Sequence, residues 1–199
     1  IELPIQANAE IEKLLNEKNK KTEQPVAGYD DTSWENGSKN FNFDRMKLKS
    51  LPTGMPEDVK SISIANNKFT EFPSELYRYK SLEYINLSNN KLKDIPNGLR
   101  YLEKLHYLDL SNNKIKKISN DIGNLKNLRE LNLENNGLKE IPTGLCEMKN
   151  LRILNLRKNK IPHPMIAQLI KCLPYTNILF DEYILKEVEE NLEEGDIQN

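Results

Sequence analysis

The chain has 199 residues, 30% charged and 37% hydrophobic, with a formal net charge of −1 at pH 7. Such a polar composition suits a thin fold with much surface per residue better than a thick globular core. The near-zero charge leaves no global field toward nucleic acid or membrane, and no apolar run reaches the roughly 18 residues of a spanning helix.

The chain opens on Ile1, which reads as a trimmed or processed start, and no basic-then-apolar signal segment follows it. Residues 8–19 have helical spacing, with Ile11, Leu14 and Leu15 on one face and Asn8 as a cap. Residues 20–37 are polar and turn-rich, so 1–37 reads as an N-terminal helix and linker. Trp34, the single tryptophan, reads as a shield for the edge of the next domain; the alternative is an exposed partner anchor.

A repeat then takes over. Val59, Leu82, Leu105, Leu128 and Leu151 open five units, each 23 residues after the last. Three units read LEYINLSNNKLKDIP, LHYLDLSNNKIKKIS and LRELNLENNGLKEIP; the flanking ones read VKSISIANNKFTEFP and LRILNLRKNKIP. In each, two apolar residues alternate, such as Ile85 and Leu87, so one face of a short strand points inward. Stacked units would align these strands in parallel, about 4.8 Å apart. Leu92, Ile95, Leu99 and Leu102 belong to the returning outer segment and close the core from the other side. One unit cannot bury its own apolar face, so stability comes from stacking. Asn67, Asn90, Asn113, Asn136 and Asn159 share one register, where the chain turns inward. An amide there can both donate to and accept from backbone groups stranded in a buried turn.

The pattern L-x-x-L-x-L-x-x-N-x-L resembles the leucine-rich-repeat family over residues 38–175. The resemblance implies an α/β solenoid: a curved parallel inner sheet, with the asparagines as a structural ladder. Pro73, Pro96 and Pro142 follow Phe72, Ile95 and Ile141, while Ser119 takes that place in the third unit and marks a local difference. The outer pattern after these prolines looks like Ras-group repeats of intracellular scaffolds and like bacterial repeats of similar length. Residues 38–58 read as a shorter N-terminal end repeat, with Phe41 and Phe43 inward and Met46 in the asparagine's place.

After Ile161, Pro164 suits a first helical turn, and Met165, Ile166, Leu169, Ile170 and Leu173 have helical spacing. This reads as a C-terminal helical cap ending near Pro174. The repeat domain with its cap therefore spans 38–181, and 182–199 reads as an acidic helix or tail.

Catalytic chemistry finds no foothold in the pattern. His106 and His163 form no nucleophile–base pair and no metal motif with Cys146 or Cys172, and no phosphate-cradling glycine motif occurs. No cofactor or metal is expected. Two cysteines are too few for a disulfide framework, which favours a reducing, intracellular setting; they would pair only if the fold brought them together.

Binding is the better reading, with a targeting or regulatory domain of a larger enzyme complex as an alternative. With the opening residue as position one, positions three, five and seven face outward from the inner sheet. Position three gives Asn40, Ser61, Tyr84, Tyr107, Glu130 and Ile153; position five gives Asn42, Ser63, Asn86, Asp109, Asn132 and Asn155; position seven gives Asp44, Ala65, Ser88, Ser111, Glu134 and Arg157. Tyr84 and Tyr107 stand side by side in register, and tyrosines are enriched at binding hot spots. The expected partner surface comprises Tyr84, Asn86, Tyr107, Asp109, Glu130, Asn132, Ile153, Asn155 and Arg157, holding another protein. A second surface is a lysine edge: Lys68, Lys91, Lys114 and Lys160 follow the asparagines, with Lys93, Lys116 and Lys139 two places on. Phosphate or nucleic acid is the alternative partner there, through Lys91, Lys93, Lys114 and Lys116. However, Glu71, Asp94 and Glu140 dilute the charge, and no stacking aromatics interleave it.

Overall fold

A computed structural model describes residues 39–181, all within one compact unit. The proposed helix at 8–19, the linker with Trp34 and the acidic segment 182–199 lie outside the described residues.

Each repeat contributes one three-residue strand to the inner sheet. These are β1 (Asn40–Asn42), β2 (Ser61–Ser63), β3 (Tyr84–Asn86), β5 (Tyr107–Asp109), β7 (Glu130–Asn132), β8 (Ile153–Asn155) and β9 (Asn177–Leu179). They form a seven-stranded parallel sheet in chain order. The register is the repeat's own: Phe41, Ile62, Ile85, Leu108, Leu131 and Leu154 lie in one line across it. That line, and the next one through Phe43, Ile64, Leu87, Leu110, Leu133 and Leu156, is buried in the core. Phe41 and Phe43 stack at 6.1 Å, so the 21-residue first repeat has the inward pair that its sequence predicts.

The ladder asparagines join neighbouring units. Asn90 is typical: its Nδ2 donates to the Ile64, Leu87 and Ser88 carbonyls, and its Oδ1 accepts from Phe69 N–H at 3.0 Å. The residue just before each ladder position turns through the left-handed region: Asn66, Asn89, Asn112, Asn135 and Lys158 have φ between 53° and 57°. Asparagine tolerates that conformation better than most residues, which explains the double asparagine.

The outer side is built from short 3-10 segments at Ser74–Arg78, Leu99–Tyr101, Asn120–Asn124 and Thr143–Glu147. Between them β4 (Asp94–Ile95) and β6 (Lys117–Ile118) make a small parallel pair. Ser119 explains its location. Its N–H donates to Ile95 O at 3.0 Å, a bond that proline in the same place cannot make. Its Oγ then caps the next 3-10 segment by accepting from Asp121 N–H.

At the far end, α1 (His163–Cys172) has Pro164 in its first turn, as the sequence predicts, and buries Ile166 and Leu169. Ile170 departs from the expected apolar face and is 44% exposed. Two features of this end were not expected. First, the chain does not stop at the cap: β9 adds a seventh strand, with Ile178 opposite Leu154. Second, Cys146 and Cys172 are disulfide-bonded, their Cα atoms 5.4 Å apart. The fold thus brings together two thiols whose proximity sequence spacing left open, clamping the last 3-10 segment to the end of α1.

Candidate functional site

The structure places the residues of the expected surface on the inner-sheet strands, not all of them open to a partner. Tyr84 and Tyr107 are paired across β3 and β5. Their rings stack with centroids 4.4 Å apart and planes within 4° of parallel. Burial, with the Asp109 charge beside it, pushes the Tyr84 hydroxyl up to about 12. The Tyr107 hydroxyl is raised further by the same two causes, and lies 3.4 Å from Asp109 Oδ2.

Position five has a structural task that its polar character conceals. Asn42, Asn86, Asp109, Asn132 and Asn155 each accept, through Oδ1, the backbone N–H two residues on. These side chains cap the strand ends, and the second polar atom already meets the Tyr84 hydroxyl from Asn86, Asp109 from Asn132 and the Tyr107 hydroxyl from Asp109. Asn155 has spent that one too: it is buried, and its Nδ2 donates to Glu134 Oε2 at 3.1 Å.

Position seven does not face out along its whole length. Ala65, Ser88 and Ser111 are buried, because the position-five cap turns the chain inward at that point. Asp44, Glu134 and Arg157 remain half-exposed at the two ends. Glu130 and Ile153 extend the tyrosine row on β7 and β8, and Asn177 continues it on β9.

Two acids flank the tyrosine pair. Asp109 sits on β5 where four other units have asparagine, and burial raises its carboxyl above the ordinary value despite bonds from Ser111. Asp44 Oδ1 accepts from Ser63 Oγ and Ala65 N–H, both at 2.7 Å. Among the described residues neither carboxylate is paired with a lysine or arginine, whereas Glu134 holds Lys158 Nζ at 2.7 Å. Asp44, Ser61 and Ser63 also lie beside the tyrosine pair, outside the partner surface expected from the sequence. The signal available was the register itself, which places the two serines directly beside Tyr84 and Asn86.

The lysine edge is present as expected. Lys68, Lys91, Lys93, Lys114, Lys116, Lys139 and Lys160 are exposed, and none forms an ion pair among the described residues. Among the same residues no three His, Cys, Asp or Glu side chains gather as a metal site, and no helix is long and apolar enough to cross a membrane.

Comparison with known proteins agrees with this architecture. A leucine-rich-repeat region model matches residues 58–188. A search of curated proteins finds no match. Among solved structures, a leucine-rich-repeat protein of Leptospira interrogans is 34% identical with TM-score 0.58, over 63% of this chain and 33% of that one. An internalin of Listeria monocytogenes is 28% identical with TM-score 0.54, over 63% and 35%. The ectodomain of the Arabidopsis thaliana receptor kinase GASSHO1/SCHENGEN3, solved with Casparian strip integrity factor 2, is 28% identical with TM-score 0.52, over 66% and 19%. This chain thus spans well under two thirds of each of these proteins. The family match covers more than half of this chain, and its repeats, ladder and parallel sheet are those of the family: the chain belongs to the leucine-rich-repeat proteins.

Proposed function

We propose that this chain is a protein-interaction module that holds a partner protein on the open face of its inner sheet, and that it works by binding and not by catalysis. Leucine-rich-repeat domains generally mediate protein–protein interaction, and the plant receptor similar to this chain was solved with a protein factor. The observation that carries the reading is the stacked Tyr84–Tyr107 pair, set in a polar face with large, rigid rings on adjacent strands. Such rings give contact area at little conformational cost, and the surrounding polar atoms give direction.

The test is capture from a native lysate with the chain and with its Tyr84→Ala, Tyr107→Ala variant, after circular dichroism shows that the variant folds. A captured protein that disappears with the variant supports the reading. Capture that survives the variant and falls steeply with salt moves the binding site to the lysine edge, as expected for lysine–phosphate contacts.

A further inference from the structure

We propose that the tyrosine face is built to take a positively charged side chain, an arginine or lysine in an extended basic segment of the partner, on the Tyr84 ring beside Asp44. The proposal rests on the reading that this face binds a protein, and it names the chemistry of what is bound.

The register makes the seat. One face of the Tyr84 ring is covered by Tyr107. On the other side the neighbour across the sheet is Ser61, followed by Asn40 on β1. A serine is too short to cover an aromatic ring, so the sheet drops from a tall tyrosine pair to a low floor of Ser61 and Ser63. That uncovered ring face carries the negative lobe of the π-system, which attracts a cation. Arginine and lysine also have an apolar stem that lies well along a ring.

The charges agree with the shape. Asp44 stands over Ser63, fixed by the bonds from Ser63 Oγ and Ala65 N–H. Asp109 stands beside Tyr107 on the far side of the pair. Both carboxylates act on the Tyr84 hydroxyl, raising it, so Tyr84 lies in the field of both. Among the described residues neither has a cationic partner.

The sequence supplies an independent argument. The cap at position five needs only an oxygen, and Asn86, Asn132 and Asn155 provide it without charge. At position 109 alone of these four the cap is an aspartate, in a place where burial disfavours its charged form. Its second oxygen accepts from the Tyr107 hydroxyl, and Ser111 and Asn132 also favour the charge, yet burial outweighs them. A cationic guest on the Tyr84 ring would lie in the field of that charge across the stacked pair and offset part of its cost.

The probe is a fluorescein-labelled hexa-arginine peptide, followed by anisotropy at low salt. The control is the hexa-citrulline peptide, which has nearly the same shape and no charge. Hexa-arginine is expected to bind and hexa-citrulline not to bind. Asp44→Asn and Tyr84→Leu should each weaken binding at least tenfold and Asp109→Asn less, while Tyr84→Phe, which keeps the ring, retains it. Glu147→Gln, on the outer surface, should change nothing and thus separates a seat from general attraction. Binding should also draw the Tyr84 hydroxyl back toward its ordinary ionisation, seen in the phenolate absorbance. Absence of hexa-arginine binding, equal binding of hexa-citrulline, or indifference to Tyr84→Leu would overturn the proposal. If the lysate capture still depends on Tyr84 and Tyr107 in that case, the face binds a protein by other chemistry. If both fail, the interaction surface lies elsewhere.

Discussion

Asparagine serves three different ends in this chain, and only one shows in the sequence. The ladder is legible because it recurs in a single register and coincides with an inward turn. Asn90→Ala would strand the Phe69 N–H in a buried turn, while the Ile64, Leu87 and Ser88 carbonyls each keep a second donor in Asn67 Nδ2, Asn113 Nδ2 and Asn66 N–H. We expect a loss of about 2 kcal/mol in denaturant unfolding, within the roughly 1–3 kcal/mol that one orphaned buried donor costs. The left-handed residue before the ladder and the cap at position five are less legible. An exposed polar row reads the same whether its oxygens face a partner or the chain's own backbone. Asp109 is where the two uses diverge. Its raised carboxyl gives stability that is complete in acid, below the unfolded value of roughly 3.9, and is lost as pH rises through the folded value. Asp109→Asn should therefore match the parent near about pH 3 and exceed its denaturation midpoint at neutral pH. The Tyr84 hydroxyl follows the same sign at the other end of the scale. With its folded value at about 12, stability tied to the neutral phenol is intact below about 10 and is lost as pH climbs through that window. Phenolate absorbance should show Tyr84 ionising at about 12, above the ordinary phenol value of about 10.

At the scale of elements, the strands were read correctly because two alternating apolar residues per unit leave little choice of face. The outer segments were read less fully, since their packing depends on backbone approach more than on pattern. Gly123 and Gly144 show this. A Cβ on Gly144 would meet the Asn120 carbonyl oxygen, and one on Gly123 would meet the Gly144 carbonyl oxygen. The two 3-10 segments touch through bare backbone, and each obstruction is rigid. Gly144→Ala should thus cost at least about 2 kcal/mol, at the upper part of the usual overpacking range, read from the midpoint of thermal or urea unfolding. Gly54 has nothing within 4 Å of its missing Cβ, and only its φ of 85° opposes a side chain there. Gly54→Ala is expected to cost about 1 kcal/mol, the order of left-handed strain alone. β9 escaped the sequence reading for another reason. Its step from β8 is 24 residues, it lacks the ladder asparagine, and it follows a helix that already looks like an end. The surviving clue was the alternation of Ile178 and Phe180, too short to stand alone.

For the molecule as a whole, repeats contact mainly their neighbours, so the ends set where unfolding begins. The first repeat meets that problem with the Phe41–Phe43 stack, and the last with α1, β9 and the disulfide. The cysteine pairing was not legible because it joins a 3-10 segment to a helix, and no repeat register relates the two. Cys146 and Cys172 enclose a loop with a sequence separation of 26. Closing a loop of that size in the unfolded chain is worth about 3 kcal/mol in the chain-entropy account. The Cys146→Ser, Cys172→Ser variant should lose stability of that order. Because coupling along a solenoid runs through neighbours, the loss should be uneven. Hydrogen exchange is expected to quicken first in α1, β9 and the Thr143–Glu147 segment, while the amides of β3 and β5 keep their protection. The tyrosine pair is four strands and three from β9 in the sheet order, so hexa-arginine affinity should be unchanged by the variant. Uniform loss of protection from β2 to β9 would mean that the repeats melt as one cooperative block, with the clamp acting on all of it.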